Sequence, residues 1–250
     1  MRHDGVDPDS GANKAIHAAS QALNTLIGQL PSDAPQAALA NLWLASSAVV
    51  EMLDANPALH TVLDMSAWGH VSNAIERICS SRSYAPAHDG LPPLDELLHL
   101  VARLANSPYP ASAVAGATQD TGWSNWDVRV YAARALLCLA HRFGAEHTAI
   151  LDQLEAFLDD PVSAVRLQVA RNLQVVAAAD PERMWRMGGR VAAGEPNPEV
   201  IAAYLGRGPL VFSAITGGTQ TQHWRGGGVG RSLILLAFLF TSQTGIVASH

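Results

Sequence analysis

Asp127-Val128-Arg129-Val130-Tyr131-Ala132-Ala133-Arg134-Ala135-Leu136 returns 37 residues later as Ala164-Val165-Arg166-Leu167-Gln168-Val169-Ala170-Arg171-Asn172-Leu173. Val128 matches Val165, Arg129 matches Arg166, Ala133 matches Ala170, Arg134 matches Arg171 and Leu136 matches Leu173. A fixed period of this size in a helix-forming composition predicts stacked helical units, because each unit buries its apolar face only against a neighbour of the same kind. On a helical wheel Val165, Val169, Leu173 and Val176 fall together, as do Val128, Ala132, Leu136 and Leu139. Arg129 and Arg166 lie on the flank of that apolar face, and Arg134, Arg171 and Gln174 lie away from it.

Working outward, helix starts are marked by Asn56-Pro57, Asp160-Pro161, Asp180-Pro181 and Asn197-Pro198, each a capping side chain before a proline suited to the first helical turn. Ser124 with Asp127 supplies a capping-box pattern. These signals predict helices over 12–30, 34–55, 57–66, 67–82, 93–105, 125–143, 146–158, 161–178, 181–193 and 198–206. His147, Ile150, Leu151, Leu154, Phe157 and Leu158 repeat with helical spacing, and no useful strand alternation occurs. Residues 106–122, with Pro108, Pro110, Gly116 and Gly122, read as a linker.

Asp160-Pro161, Val165-Arg166, Ala170 and Leu173 together resemble the second helix of a HEAT repeat, with 146–158 as the first. The resemblance covers about 123–193 and implies an all-α, HEAT-like (armadillo-type) solenoid of antiparallel helix pairs. Glu195-Pro196-Asn197-Pro198-Glu199-Val200 begins a third unit, in which Ile201 replaces the repeat arginine. Asp180-Pro181-Glu182-Arg183-Met184-Trp185, with Glu195 and Asn197, also resembles the helical-repeat region toward the C-terminus of large bacterial ATP-binding proteins. That second resemblance implies a scaffold portion or accessory part of a larger ATPase system.

Composition agrees with a helical core. The chain has 250 residues, 48% of them apolar, and alanine with leucine exceeds a quarter of the total. Sixteen Lys and Arg against 22 Asp and Glu give a net charge of −6, opposite to the basic excess of backbone-driven nucleic-acid binding. Cys79 and Cys138 cannot form a disulfide framework, which suits a cytoplasmic setting. Residues 1–11 contain three acids and no apolar run, reading as a disordered N-terminus rather than a targeting segment. Residues 12–105 read as a helical N-terminal part that admits divergent repeats, 123–206 as HEAT-like repeats and 207–250 as a glycine-rich tail. No Asp or Glu follows Glu199. Leu233 to Phe240 is wholly apolar, making 232–249 a borderline membrane segment, although Thr241, Ser242, Gln243 and Thr244 interrupt it.

Chemical motifs are weak. Cys138 with His141, and Glu96 with His99, have helical spacing for two metal ligands but lack the further ligands of a structural zinc site. Arg225-Gly226-Gly227-Gly228-Val229-Gly230-Arg231-Ser232 lacks the lysine and first glycine of a phosphate-binding loop. Neither a metal nor another cofactor is expected. Trp123 and Trp126 bracket a repeat-helix start and read as packing residues. Arg129 and Arg166 are expected to pair with acids near helix starts, Asp127, Asp159 or Asp160, and are structural with Val128, Leu136, Asp160, Pro161, Val165 and Leu173. Arg134, Arg171, Gln174 and His141 are the candidate partner-binding residues. The reading is a non-catalytic scaffold for a protein partner, with no nucleic-acid ligand; the alternative is an enzyme on a HEAT-like scaffold, of DNA-glycosylase or lyase type.

Overall fold

The computed structural model describes residues 10–110 and 121–215, with side chains to residue 206. The described residues are helical and contain no strand. The helices are α1 (Gly11–Gln29), α2 (Gln36–Ala55), α3 (Thr61–Ser80), α4 (Leu94–Ala105), α5 (Val128–Phe143), α6 (Thr148–Ala156), α7 (Ser163–Arg171), α8 (Gln174–Ala177), α9 (Pro181–Gly194) and α10 (Pro198–Ile215), with a 3-10 turn at Phe157–Asp159. No described helix is long and apolar enough to cross a membrane. The segments 233–240 and 225–232 lie outside the described residues.

Two of the four proline-marked starts form as the sequence predicts. The Asp180 carboxylate accepts the Arg183 N–H at 2.9 Å, and Asn197 Oδ1 accepts from Glu199 and Val200 at 2.8 and 3.4 Å. At Asn56-Pro57 no helix begins. Asn56 instead donates its Nδ2 to the Met52 carbonyl at 2.8 Å, closing α2, and the two helices predicted over 57–66 and 67–82 are one helix starting at Thr61. Asp160 spends its Oδ1 on the Val162 N–H at 2.8 Å, a tight turn that delays α7 to Ser163. The predicted helix over 161–178 breaks at Asn172, whose Nδ2 donates back to the Gln168 carbonyl at 2.8 Å and offers the backbone an alternative to helix. Helix α10 runs to Ile215, through the start of the predicted tail. The capping box forms its acid half, Asp127 accepting from Ser124 N–H, while the Ser124 hydroxyl accepts from Trp126 N–H at 3.3 Å, so α5 begins at Val128.

The described residues form two compact units that divide between Leu139 and Ala140 rather than in the 106–122 connection. In the first, α3 packs on α1, α2 and α4. It is therefore buried around most of its circumference, with Val71, Ile75 and Ile78 fully covered. Helix α4 shows why a short helix holds its place. Leu94, Leu97, Leu100, Val101 and Leu104 make one buried stripe, and Asp95 and Glu96 in the first turn and Arg103 in the last complement the helix dipole. Arg103 forks onto Asp54 and lies 4.5 Å above the Trp68 ring, and Arg77 donates to the Leu30 carbonyl at 2.9 Å beyond the end of α1. The same fork holds the Asp54 carboxyl below its usual value.

Between α1 and α3 lies His70, 5% exposed, hydrogen-bonded to the Ser20 main chain and with no partner for its Nδ1 among the described residues. Burial depresses its basicity below the ordinary 6.5, with the nearby His17 acting in the same direction against the Ser20 hydrogen bond.

In the second unit, which comprises Thr121 and residues from Ala140 onward, α10 packs on α7, α8 and α9. Arg166 on α7 forks onto Glu195, with Nε and Nη2 each 2.8 Å from a carboxylate oxygen, and its Nη1 donates to the Asp160 carbonyl at 2.7 Å. Both side chains are under 10% exposed, at 8% and 4%. The acid is thus the one between α9 and α10, not the expected Asp159 or Asp160 carboxylate. Arg129, also buried, donates to the Ser107 carbonyl at 2.8 Å rather than to Asp127. A second lattice joins α6 and the 3-10 turn after it to α9: Asp152, Glu155 and Asp159 face Arg183, Arg186 and Arg190, both sets at i, i+3, i+7. Hydrogen bonding from Arg186 holds the Glu155 carboxyl below 4.5.

Two outcomes follow for unfolding. Arg166→Ala leaves Glu195 buried without its counter-ion and should cost about 3–5 kcal/mol in urea denaturation, whereas Arg186→Ala, at the exposed edge of the lattice, should leave the urea midpoint nearly unchanged. For His70, the folded-state value lies below the unfolded one, so its contribution is complete above the unfolded value and is lost as pH falls through it. Unfolding free energy should therefore decline between about pH 7 and pH 5 in the wild-type chain, and His70→Asn should flatten that decline.

Candidate functional site

The residues ahead of α5 are held against α3 by a close backbone approach. A Cβ on Gly69 would lie 2.3 Å from the Asn125 carbonyl oxygen and 3.0 Å from the Trp126 Cα, so only glycine permits this contact. Tyr131 on α5 then donates its hydroxyl to Asn125 Oδ1 at 3.0 Å, pinning the same segment from the other side. Trp123 stands perpendicular to Tyr131 with ring centroids 5.2 Å apart.

Arg134 completes the arrangement. Its Nε and Nη2 donate to Glu76 Oε1 on α3 at 3.2 and 2.9 Å, and its guanidinium carbon lies 5.1 Å from the Trp123 centroid. Arg134, expected on the outer face for a partner, is half-buried and engaged on two sides. Burial pushes the Tyr131 hydroxyl to a higher pKa, reinforced by Glu76 and Asp127 and opposed by Arg134, which keeps it a neutral donor.

Above this support Trp123 and Trp126 remain 39% and 42% exposed. Neither indole is buried as the core-packing expectation required, although Trp123 packs on Tyr131 with one part of its surface. A tryptophan ring held by Tyr131 and Arg134 and still open to solvent, with a second exposed tryptophan three residues on, has the composition of a binding hot spot. The signal available in sequence was the pair Trp123 and Trp126 among small polar residues; their exposure depends on Gly69, more than fifty residues earlier.

The remaining candidates are in the second unit. Arg171 is exposed at the end of α7 and makes no hydrogen bond or ion pair with described residues. Gln174 opens α8 with its Oε1 buried and accepting from no described donor. His141 is exposed near the end of α5. Arg134 belongs to the first unit and these three to the second. Matched positions of the repeat agree in burial at Val128 and Val165, Arg129 and Arg166, Ala133 and Ala170, and Leu136 and Leu173, and diverge at Arg134 and Arg171. Pro161 is exposed beside Asp160 in the turn ahead of α7. Among the described residues no cluster of three His, Cys, Asp or Glu side chains is placed to hold a metal ion.

No protein-family model, curated protein or solved structure matches this chain.

Gly69→Ala adds a methyl group where the opposing atoms are backbone. The ordinary gain of up to about 1 kcal/mol in helix propensity is reversed at such a contact, and the variant should lose about 1–3 kcal/mol in thermal or urea unfolding. Its tryptophan emission should also shift, because Trp126 rides on the displaced backbone.

Proposed function

We propose that this protein is a non-catalytic, HEAT-like helical scaffold whose first unit engages a protein partner through Trp123 and Trp126. The observation that carries the proposal is the exposure of both indoles on a segment held by Gly69, Asn125, Tyr131 and Arg134. Trp123, held by Tyr131 and Arg134 in the free protein, loses less entropy on binding than an unsupported side chain would. The HEAT-type reading is supported by the shared burial of the repeat positions and by the buried repeat arginines, each donating to a carbonyl of the preceding connection, Ser107 or Asp160. A reducing, cytoplasmic setting suits a chain with two cysteines.

Affinity capture from the source cell tests the reading. A partner retained by the full wild-type chain should be lost from Trp123→Ala with Trp126→Ala, since truncating a hot-spot aromatic costs about 2 kcal/mol or more, near thirtyfold in Kd. Leu44→Ala, an exposed apolar residue on α2, should retain it. Equal capture by the wild-type and double-tryptophan chains, with both folded by circular dichroism, overturns the proposal.

A further inference from the structure

A second surface, independent of the tryptophan face, lies wholly within the second unit. Helices α7 and α10 pack together but leave a recess of about 390 Å³ between them, lined by Leu167 and Arg171 from α7, Glu199, Ala203 and Gly206 from α10, and Thr121. The recess exists because α10 offers small side chains where a large apolar one would fill the space. A Cβ built on Gly206 meets nothing within 4 Å. Leu167 and Arg171 are one helical turn apart, as are Glu199 and Ala203, so each helix presents one charged and one apolar side chain to the same space.

The two charges are not used up on each other. Arg171 makes no ion pair or hydrogen bond with any described residue, in contrast to Arg166, Arg183, Arg186 and Arg190 of the same unit, which are all paired. The Glu199 carboxylate accepts the Thr121 hydroxyl, which orients it without neutralising it. A simple anion would meet Arg171 but also Glu199, and a simple cation the reverse. Both side chains are exposed, and a molecule that carries both charges, set apart, meets a counter-charge on each helix. The apolar surface of Leu167 and Ala203 favours a hydrocarbon substituent between them, and a volume of this size, within the roughly 300–1,000 Å³ of small-molecule sites, suits a ligand no larger than a short peptide.

We infer that this recess binds a small zwitterion with a free α-carboxylate, a free α-ammonium and an apolar side chain, as in an amino acid or dipeptide. Arg171 takes the carboxylate as a two-pronged donor and Glu199 takes the ammonium. Neither contact involves bond making, and Thr121 serves to hold the Glu199 carboxylate in place.

Isothermal titration of the full chain with leucine and with alanyl-leucine tests this, the two arms deciding whether the charges are spaced for one residue or two. At least one should bind saturably below about 10 mM, and N-acetyl-leucine and leucinamide, each lacking one charge, should bind at least about tenfold more weakly. Arg171→Gln and Glu199→Gln should each weaken the zwitterion by about tenfold or more. Arg171 is exposed and makes no hydrogen bond or ion pair with described residues, so its variant should keep the wild-type circular dichroism. Gly206→Leu, which adds an isobutyl group at the lining of the recess and leaves both charged residues in the chain, should abolish binding. Absence of saturable binding by both zwitterions, or binding indifferent to Arg171→Gln and Gly206→Leu, overturns the inference.

Discussion

A guanidinium removed from water organises the second unit. Arg166 has to satisfy its donors inside the protein, because a buried charge left unpaired costs several kcal/mol. It does so with three groups from two connections, the Asp160 carbonyl ahead of α7 and both oxygens of Glu195 between α9 and α10. Glu195 in turn accepts the Asn197 N–H at 2.9 Å, and Asn197 caps α10. The start of α7, the end of α9 and the start of α10 are thus tied to a single side chain. Arg129 applies the same logic on a smaller scale, its Ser107 contact fastening the connection after α4 to α5.

The sequence states which faces are apolar more clearly than it states what the charges do. Val165, Val169, Leu173 and Val176 are all fully buried, as a period of 3.6 requires, and the all-helical class follows from that pattern together with the alanine and leucine content. The partner of Arg166 was not legible, because Glu195 lies 29 residues away and nearer acids offered themselves. Asn56 was misleading for a related reason, and Asn172 gave no warning that it would end α7. An asparagine side chain can open a helix or close one by bonding backward, and only the neighbouring chain decides which. The support of the tryptophan face was hidden in the same way: Gly69 reads as a weak point of a helix, and its value lies in the backbone that passes over it.

Repetition of residue type did not bring repetition of environment. Arg134 and Arg171 occupy matched positions, yet Arg134 has an acid and an indole within reach, while Arg171 sits beside small side chains. Each of these matched arginines takes its role from what the neighbouring element supplies. Glu76 and Trp123 make one a support for an aromatic surface, and Ala203 and Gly206 leave the other facing a recess.

The same pairing decides what kind of ligand the protein can attract. Most arginines with described side chains already face carboxylates, Arg103 with Asp54, Arg134 with Glu76, Arg166 with Glu195, and the α9 set with Asp152, Glu155 and Asp159. A polyanion would have to displace these acids while approaching a chain of net charge −6, and long-range attraction would work against it. Contacts resting on ring area and shape at Trp123 and Trp126, or on an unspent cation such as Arg171, act at short distance. Short-range recognition of that kind depends little on salt, since no excess of exposed positive charge is being screened.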